Sequence, residues 1–108
     1  MDEQEFRTRA DASLTSLNRQ LAAASERFDF DVDMNNGALT VEFDDPPAKF
    51  VVSPNTPVRQ IWVSAHSRSF KLDWDSAAGN FVLAATSQSL PALMAGHIGE
   101  QLGEEVTL

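Results

Sequence analysis

At 108 residues, 43% of them apolar and none of them cysteine, the chain has the size of one domain (residues 1–108), and disulfides, thiolate metal sites and thiol nucleophiles are excluded together. Its formal charge of −8 is concentrated in one half: residues 1–45 hold eleven acids against four arginines, a net of −7, which repels nucleic acid and anionic membrane and attracts cations or basic protein surfaces. No apolar run approaches the roughly 20 residues that span a bilayer, and MDEQEFRTRAD has neither the basic nor the apolar region of a signal peptide, so a soluble, cytoplasmic protein is expected.

From Glu3 to about Ser25, the residues Phe6, Ala10, Leu14, Leu17, Leu21 and Ala24 recur at steps of three and four, one face of a long helix. Asp2 with Glu5 three residues on reads as a capping box at its start. The period then changes to two. Phe28, Phe30, Val32 and Met34 point one way and Asp29, Asp31 and Asp33 the other, Asn35-Asn36-Gly37 supplies a tight turn, and Leu39, Val41 and Phe43 continue the apolar face, giving a hairpin over 28–43. DDPPAK reads as a turn, FVV as a short strand and SPNTP as a loop. In RQIWVSA, Ile61, Val63 and Ala65 alternate with Gln60, Trp62 and Ser64; with the first set on the core, Trp62 faces solvent. SFKLDW (69–74) and NFVLAA (80–85) are two further strands around a turn at DSAAGN. Ser89 caps a second helix with Leu90, Leu93, Met94 and Ile98 on one side, and Gly103 ends it. Helix, antiparallel strands, helix is an α+β order in which two helices cover one face of a sheet and leave the other wet.

Three aspartates on one strand call for a reason, because aspartate is a poor strand former. An EF-hand loop starting at Asp29 requires Gly at position 34 and Glu at 40, where the chain has Met34 and Thr40. Phosphatases with an aspartate nucleophile need a doubly wound sheet, which this order of elements does not provide. What is left is a row of carboxylates about 6.7 Å apart, able to hold a hard cation only in an open, partly hydrated, weak site. The competing explanation is edge protection, in which charges on an exposed strand discourage pairing with another chain, and on pattern alone it is the stronger of the two.

Trp62 poses a similar choice. It is either a core residue on a strand of shifted register, at the expense of burying Gln60 and Ser64, or an exposed anchor for a protein partner. His66 and His97 are isolated in sequence and have no i, i+4 partner, so loop solvation or a local hydrogen bond is expected of them. The serines lack a nucleophile context.

The helix EFRTRADASLTSLNRQL, the strand FDFDVDMNNGALTVEF, the stretch SPNTPVRQIWVSAHSRSFKLDW and the closing helix SLPALMAGHIGEQL resemble, in order and over essentially the whole chain, the frataxins of the bacterial CyaY type. The most specific part is TPVRQIWVS followed by FKLDW. The resemblance implies a two-layer sandwich, an antiparallel sheet of five to six strands with two helices on one face. It implies no enzymatic activity, but a protein that binds ferrous or ferric iron weakly on an acidic ridge and docks on the cysteine desulfurase and scaffold that build iron–sulfur clusters. It also implies a monomer, with iron-induced oligomers as a further expectation. The ridge maps onto Asp2, Glu3, Glu5, Asp11, Glu26, Asp29, Asp31 and Asp33, and the partner-facing sheet onto Asn55, Gln60, Trp62 and Lys71.

Departures from the family pattern shift the emphasis. Asn18, Arg19, Ala22 and Ala23 stand where carboxylates are common, so iron binding leans on the strand aspartates and the N-terminus. Ser53 replaces a frequent asparagine, Lys71 a frequent arginine, Arg68-Ser69 a Gly-Pro or Gly-Gly, and Phe81 a tryptophan; Lys71 keeps the charge and loses the planar fork. The aspartates tolerate a strand because their side is solvated, and their repulsion is a stored cost that a cation or basic partner relieves. Two other functions are compatible with the same residues: a metal-independent acidic interaction module, and an iron oxidase or iron-storage protein.

Overall fold

The computed structural model describes residues 1–44 and 46–108. Helix α1 (Glu3–Ala24) forms where the three-and-four spacing was read, and its stripe of Phe6, Ala10, Leu14, Leu17, Leu21 and Ala24 is at most 3% exposed. Asp2 caps it, its Oδ1 accepting from the Glu5 backbone N–H at 2.7 Å. The return arm of the capping box is replaced: the Glu5 carboxylate turns to Arg9 at 3.7 Å.

Seven strands follow, each pairing antiparallel with the next, so that the described residues make one sheet in sequence order: β1 (Asp31–Asn35), β2 (Ala38–Asp44), β3 (Pro47–Asn55), β4 (Gln60–Ala65), β5 (Arg68–Asp75), β6 (Asn80–Leu83) and β7 (Gln88–Ser89). A two-residue turn joins β1 to β2 through Asn36 and Gly37 (φ 54° and 79°), the left-handed backbone that an Asn-Gly pair accepts. Helix α2 (Leu90–Leu102) closes the chain, capped by the Ser89 hydroxyl and ended by Gly103 at φ 68°. Both helices lie on one face. Phe6 of α1 meets Phe81 of β6 edge-on at 5.8 Å between ring centroids, and His97 of α2 meets Phe50 of β3 at 6.3 Å. Leu39, Val41, Phe50, Val52, Ile61, Val63 and Leu72 project from the sheet into the same core and are each at most 1% exposed. None of the described helices is long and apolar enough to cross a membrane.

Four local expectations are corrected. The sheet has seven strands rather than five to six, because β6 ends at Leu83: the backbone N–H groups of Thr86 and Ser87 both donate to the Leu83 carbonyl, and the reversed chain adds the two-residue β7 beside β6. The first strand starts at Asp31 and not at Phe28. The Arg27 and Phe28 N–H groups still donate to the Ala24 carbonyl, and Phe30 N–H donates to the Phe28 carbonyl, so 28–30 turn the corner out of α1. This places Asp29 in the bend, off the strand that carries Asp31 and Asp33. The third strand takes in residues read as turn and loop, since β2 and β4 flank it on both sides; Pro47 is tolerated as its first residue. Of the turn expected over DDPPAK, Asp45 lies outside the described residues.

Candidate functional site

The face of the sheet away from the helices carries the residues that alternate with the core set. Ile61, Val63 and Ala65 of β4 are at most 1% exposed, so Trp62 stands on the open face, half-buried among its neighbours rather than in the core. Register places Ser53 of β3 on one side of it and Lys71 of β5 on the other, with the Lys71 Nζ 5.0 Å from the indole centroid. The indole N–H donates to Gln60 Oε1 at 3.0 Å, and Gln60 Nε2 donates to Asp73 Oδ1 at 3.1 Å. Asn55 is paired with Gln60 across β3 and β4. The four residues assigned to partner binding, Asn55, Gln60, Trp62 and Lys71, therefore form one connected patch. The indole N–H and the Gln60 amide are satisfied by one another and by Asp73, and the half-buried indole carries the Lys71 ammonium over its ring, the composition of an interface anchor.

The acids are arranged differently. β1 is an edge strand, and Asp31 and Asp33 alternate along its exposed side; Asp31 lies directly opposite Glu42 of β2, and Asp33 opposite Thr40. Glu26 and Asp29 are exposed in the segment that links α1 to β1, and Asp2, Glu3, Glu5 and Asp11 are exposed at and near the start of α1. Three of these have local tasks: Asp2 caps α1, Glu3 pairs with Arg7 at 3.1 Å, and Glu5 pairs with Arg9, whose guanidinium also lies 4.6 Å from the Trp74 ring centroid. Among the described residues, the ridge acids nowhere bring three ligand atoms within reach of one ion. A cation on this face keeps most of its water.

Three ligand atoms do converge elsewhere, at a place that the reading of His66 and His97 as isolated residues missed. His66, in the turn between β4 and β5, and His97, on α2, bring their Nδ1 atoms to 3.1 Å, and a Glu100 carboxylate oxygen lies 4.0 Å and 3.9 Å from them. Phe50 lies 5.0 Å from the His66 ring and Phe70 lies 4.8 Å from the His97 ring. His97 is 9% exposed, and burial holds its pKa below the usual histidine value; His66 and Arg68 act in the same direction and Glu100 opposes them. One signal was available in the sequence: His97 continues the buried stripe of Leu90, Leu93 and Met94 at helical spacing. Its partner 31 residues earlier had no such mark.

Comparison with known proteins supplies the remaining finding. A family model described as the frataxin-like domain matches residues 1–104. The chain is 35% identical over 108 residues to the iron-sulfur cluster assembly protein CyaY of Pseudomonas aeruginosa, covering 98% of this chain and 95% of that one. It is also 35% identical over 95 residues to the protein of the same name from Azotobacter vinelandii, covering 86% of each. A solved frataxin from Psychromonas ingrahamii superposes with a TM-score of 0.84 over 99% of this chain and 97% of that one, at 21% identity, which establishes the shared fold.

Proposed function

The chain belongs to the frataxin-like family, and from that premise we propose that it serves iron–sulfur cluster assembly in the cytoplasm as a non-enzymatic regulator. In this reading it binds ferrous or ferric iron weakly on the acids of α1 and β1, and docks through the open face of the sheet on the cysteine desulfurase and scaffold. The observation that carries the docking half is the patch around Trp62. An aromatic ring left half-exposed on a wet sheet, with its N–H already satisfied by Gln60 and a lysine ammonium over its ring, gains most by being covered. The exposed carboxylates of β1 give the iron half its chemistry: oxygen ligands, spaced along a strand, suited to an open and partly hydrated cation.

Binding of this protein to its host's cysteine desulfurase, wild type beside Trp62→Ala and with or without ferrous iron, tests the reading. Tight binding that Trp62→Ala weakens by about tenfold or more is the expected result. A wild type that does not bind the desulfurase at all overturns it.

One observation favours a second reading, in which the acidic face recognises a basic protein surface and iron is incidental. Asp2, Glu3 and Glu5 are each engaged at the start of α1, and among the described residues the acids of this face do not cluster around a common point. Binding to the desulfurase that is unchanged by a chelator selects this reading. An iron oxidase, by contrast, needs a clustered iron site that the ridge lacks, so ferrous iron added to the protein and exposed to oxygen is expected to oxidise no faster than in buffer.

A further inference from the structure

The corner where the β4–β5 turn meets the last turns of α2 is built as a ligand set. We propose that His66 Nδ1, His97 Nδ1 and a Glu100 carboxylate oxygen form a binding site for one divalent first-row transition cation, of the zinc or ferrous type, separate from the acidic edge.

The geometry comes first. The three atoms stand 3.1, 4.0 and 3.9 Å apart, and the point equidistant from them lies roughly 2.1 Å from each, inside the range of zinc–nitrogen and zinc–oxygen bonds. Two imidazoles and one carboxylate are a donor set that suits zinc or iron and does not suit calcium or magnesium, which prefer oxygen alone. The side of the site away from the core is open, because the Glu100 side chain is 69% exposed, so water completes the coordination.

The groups around the ligands set the protonation that coordination needs. Gln101 Nε2 donates to the Pro46 carbonyl at 3.1 Å, which turns its Oε1 toward His66 Nε2 at 3.2 Å. A carbonyl-type oxygen there requires the proton of neutral His66 to sit on Nε2, leaving the Nδ1 lone pair directed at His97. Without a metal, His97 donates its Nδ1–H to that lone pair. With one, the His97 proton moves to Nε2 by exchange with solvent, the cation binds on the Glu100 side of the two Nδ1 atoms, and both rings stay neutral. Gln101 thus holds His66 in the orientation a ligand needs, as partners of metal-bound histidines commonly do.

The backbone adds an independent observation. The β4–β5 connection is a two-residue turn, with Ala65 paired to Arg68, in which His66 and Ser67 both adopt positive φ (52° and 60°). Asn-Gly or Asp-Gly fits that turn with less strain, as Asn36-Gly37 does at the β1–β2 turn of this same chain. A histidine held in a left-handed conformation, with its ring beside a second histidine and a glutamate, is strain kept where a side chain is useful.

Calorimetric titration of the purified, chelator-stripped protein with Zn2+, alongside the visible spectrum of the Co2+ complex, tests the proposal. The wild type should take up one equivalent of Zn2+ at this site and give the Co2+ absorption of a low-coordinate nitrogen-containing site. His66→Asn keeps a residue that tolerates positive φ, and Glu100→Gln alters only an exposed side chain; the first should weaken zinc binding by about 100-fold and the second by roughly tenfold. Gln101→Leu should weaken it by about tenfold through the lost orientation of His66. The doubly substituted Asp31→Asn, Asp33→Asn protein should bind zinc at this site as the wild type does. Absence of a stoichiometric site in the wild type, equal binding by His66→Asn, or loss of binding in the double aspartate variant each overturns the proposal.

Discussion

If the carboxylates of β1 repel one another in the metal-free protein, neutralising one of them should stabilise the fold. Asp31 faces Glu42 across the β1–β2 ladder, and Asp33 lies two residues along the same side of the strand. Like charges about 6 Å apart in a water-like dielectric cost roughly 0.7 kcal/mol, and the Asp31–Asp33 pair at about 6.7 Å roughly 0.6 kcal/mol. Asp31→Asn therefore gains about 1 kcal/mol at low ionic strength, or roughly 4–5 °C in Tm for a chain of this length. At physiological ionic strength the screening length of about 8 Å cuts the gain by about half. Asp31→Lys replaces both repulsions by attractions and should roughly double the shift. Thermal unfolding followed by circular dichroism, with chelator present and at low and high salt, reads all three numbers. A lower Tm for Asp31→Asn, or a gain that salt does not shrink, refutes the electrostatic account of this edge. Adding ferrous iron should narrow the difference between wild type and variant, because a bound cation relieves the same repulsion.

Three other outcomes follow from the packing and the caps. A Cβ at Gly99 would lie 2.7 Å from the backbone oxygen of Glu104, so Gly99→Ala should lose about 1–3 kcal/mol in urea unfolding despite alanine's better helix propensity; a stabilised variant contradicts the close approach. Asp2→Ala removes the acceptor for Glu5 N–H and should cost about 1 kcal/mol, whereas Asp2→Asn should keep most of it; equal losses in the two variants rule out the cap as the cause. His97 has a native pKa below its unfolded value of 6.5, so the unfolded chain binds more protons in the window beneath pH 6.5, and stability falls as pH drops through it. With chelator present, the urea midpoint should decline between about pH 7.5 and 5.5, and the decline should be smaller in His97→Gln; the other ionisable groups that act on this ring are His66, Glu100 and Arg68. An undiminished decline in that variant assigns the effect to another group.

Most of the fold could be read from periodicity because both helices are amphipathic and the sheet is wet on one side. Each buried residue of α1 was marked by its spacing, and Ile61, Val63 and Ala65 were marked by alternation with polar neighbours. The errors fall where local pattern and backbone hydrogen bonding compete. Phe28 and Phe30 alternate with Asp29 as a strand would, yet the carbonyl of Ala24 still captures the N–H groups of Arg27 and Phe28, and the chain must complete that turn before β1 begins. Prolines at 47 and 54 argue against a strand by composition, but a partner on each side stabilises β3 between them.

The candidate sites divide along the same physical line. Trp62 was legible because alternation in β4 puts it on the open face, whereas Asn55, Gln60 and Lys71 entered through the resemblance to the frataxins, and the register of β3, β4 and β5 then sets them beside it. Asp31 and Asp33 were legible because alternation along β1 puts them outside, whereas Asp29 lies in the bend that precedes the strand. Nothing local connects His66 with His97, since a turn and a helix 31 residues apart meet only after the whole sheet between β4 and α2 has been laid down. The clue in the sequence lay at His97, which takes a buried position on a helix stripe that favours leucine; that His66 takes a turn position favouring asparagine or glycine emerges only with the fold. Two residues that each carry a local cost, brought within 3.1 Å of one another, are more economically explained by a shared purpose than by two separate accidents.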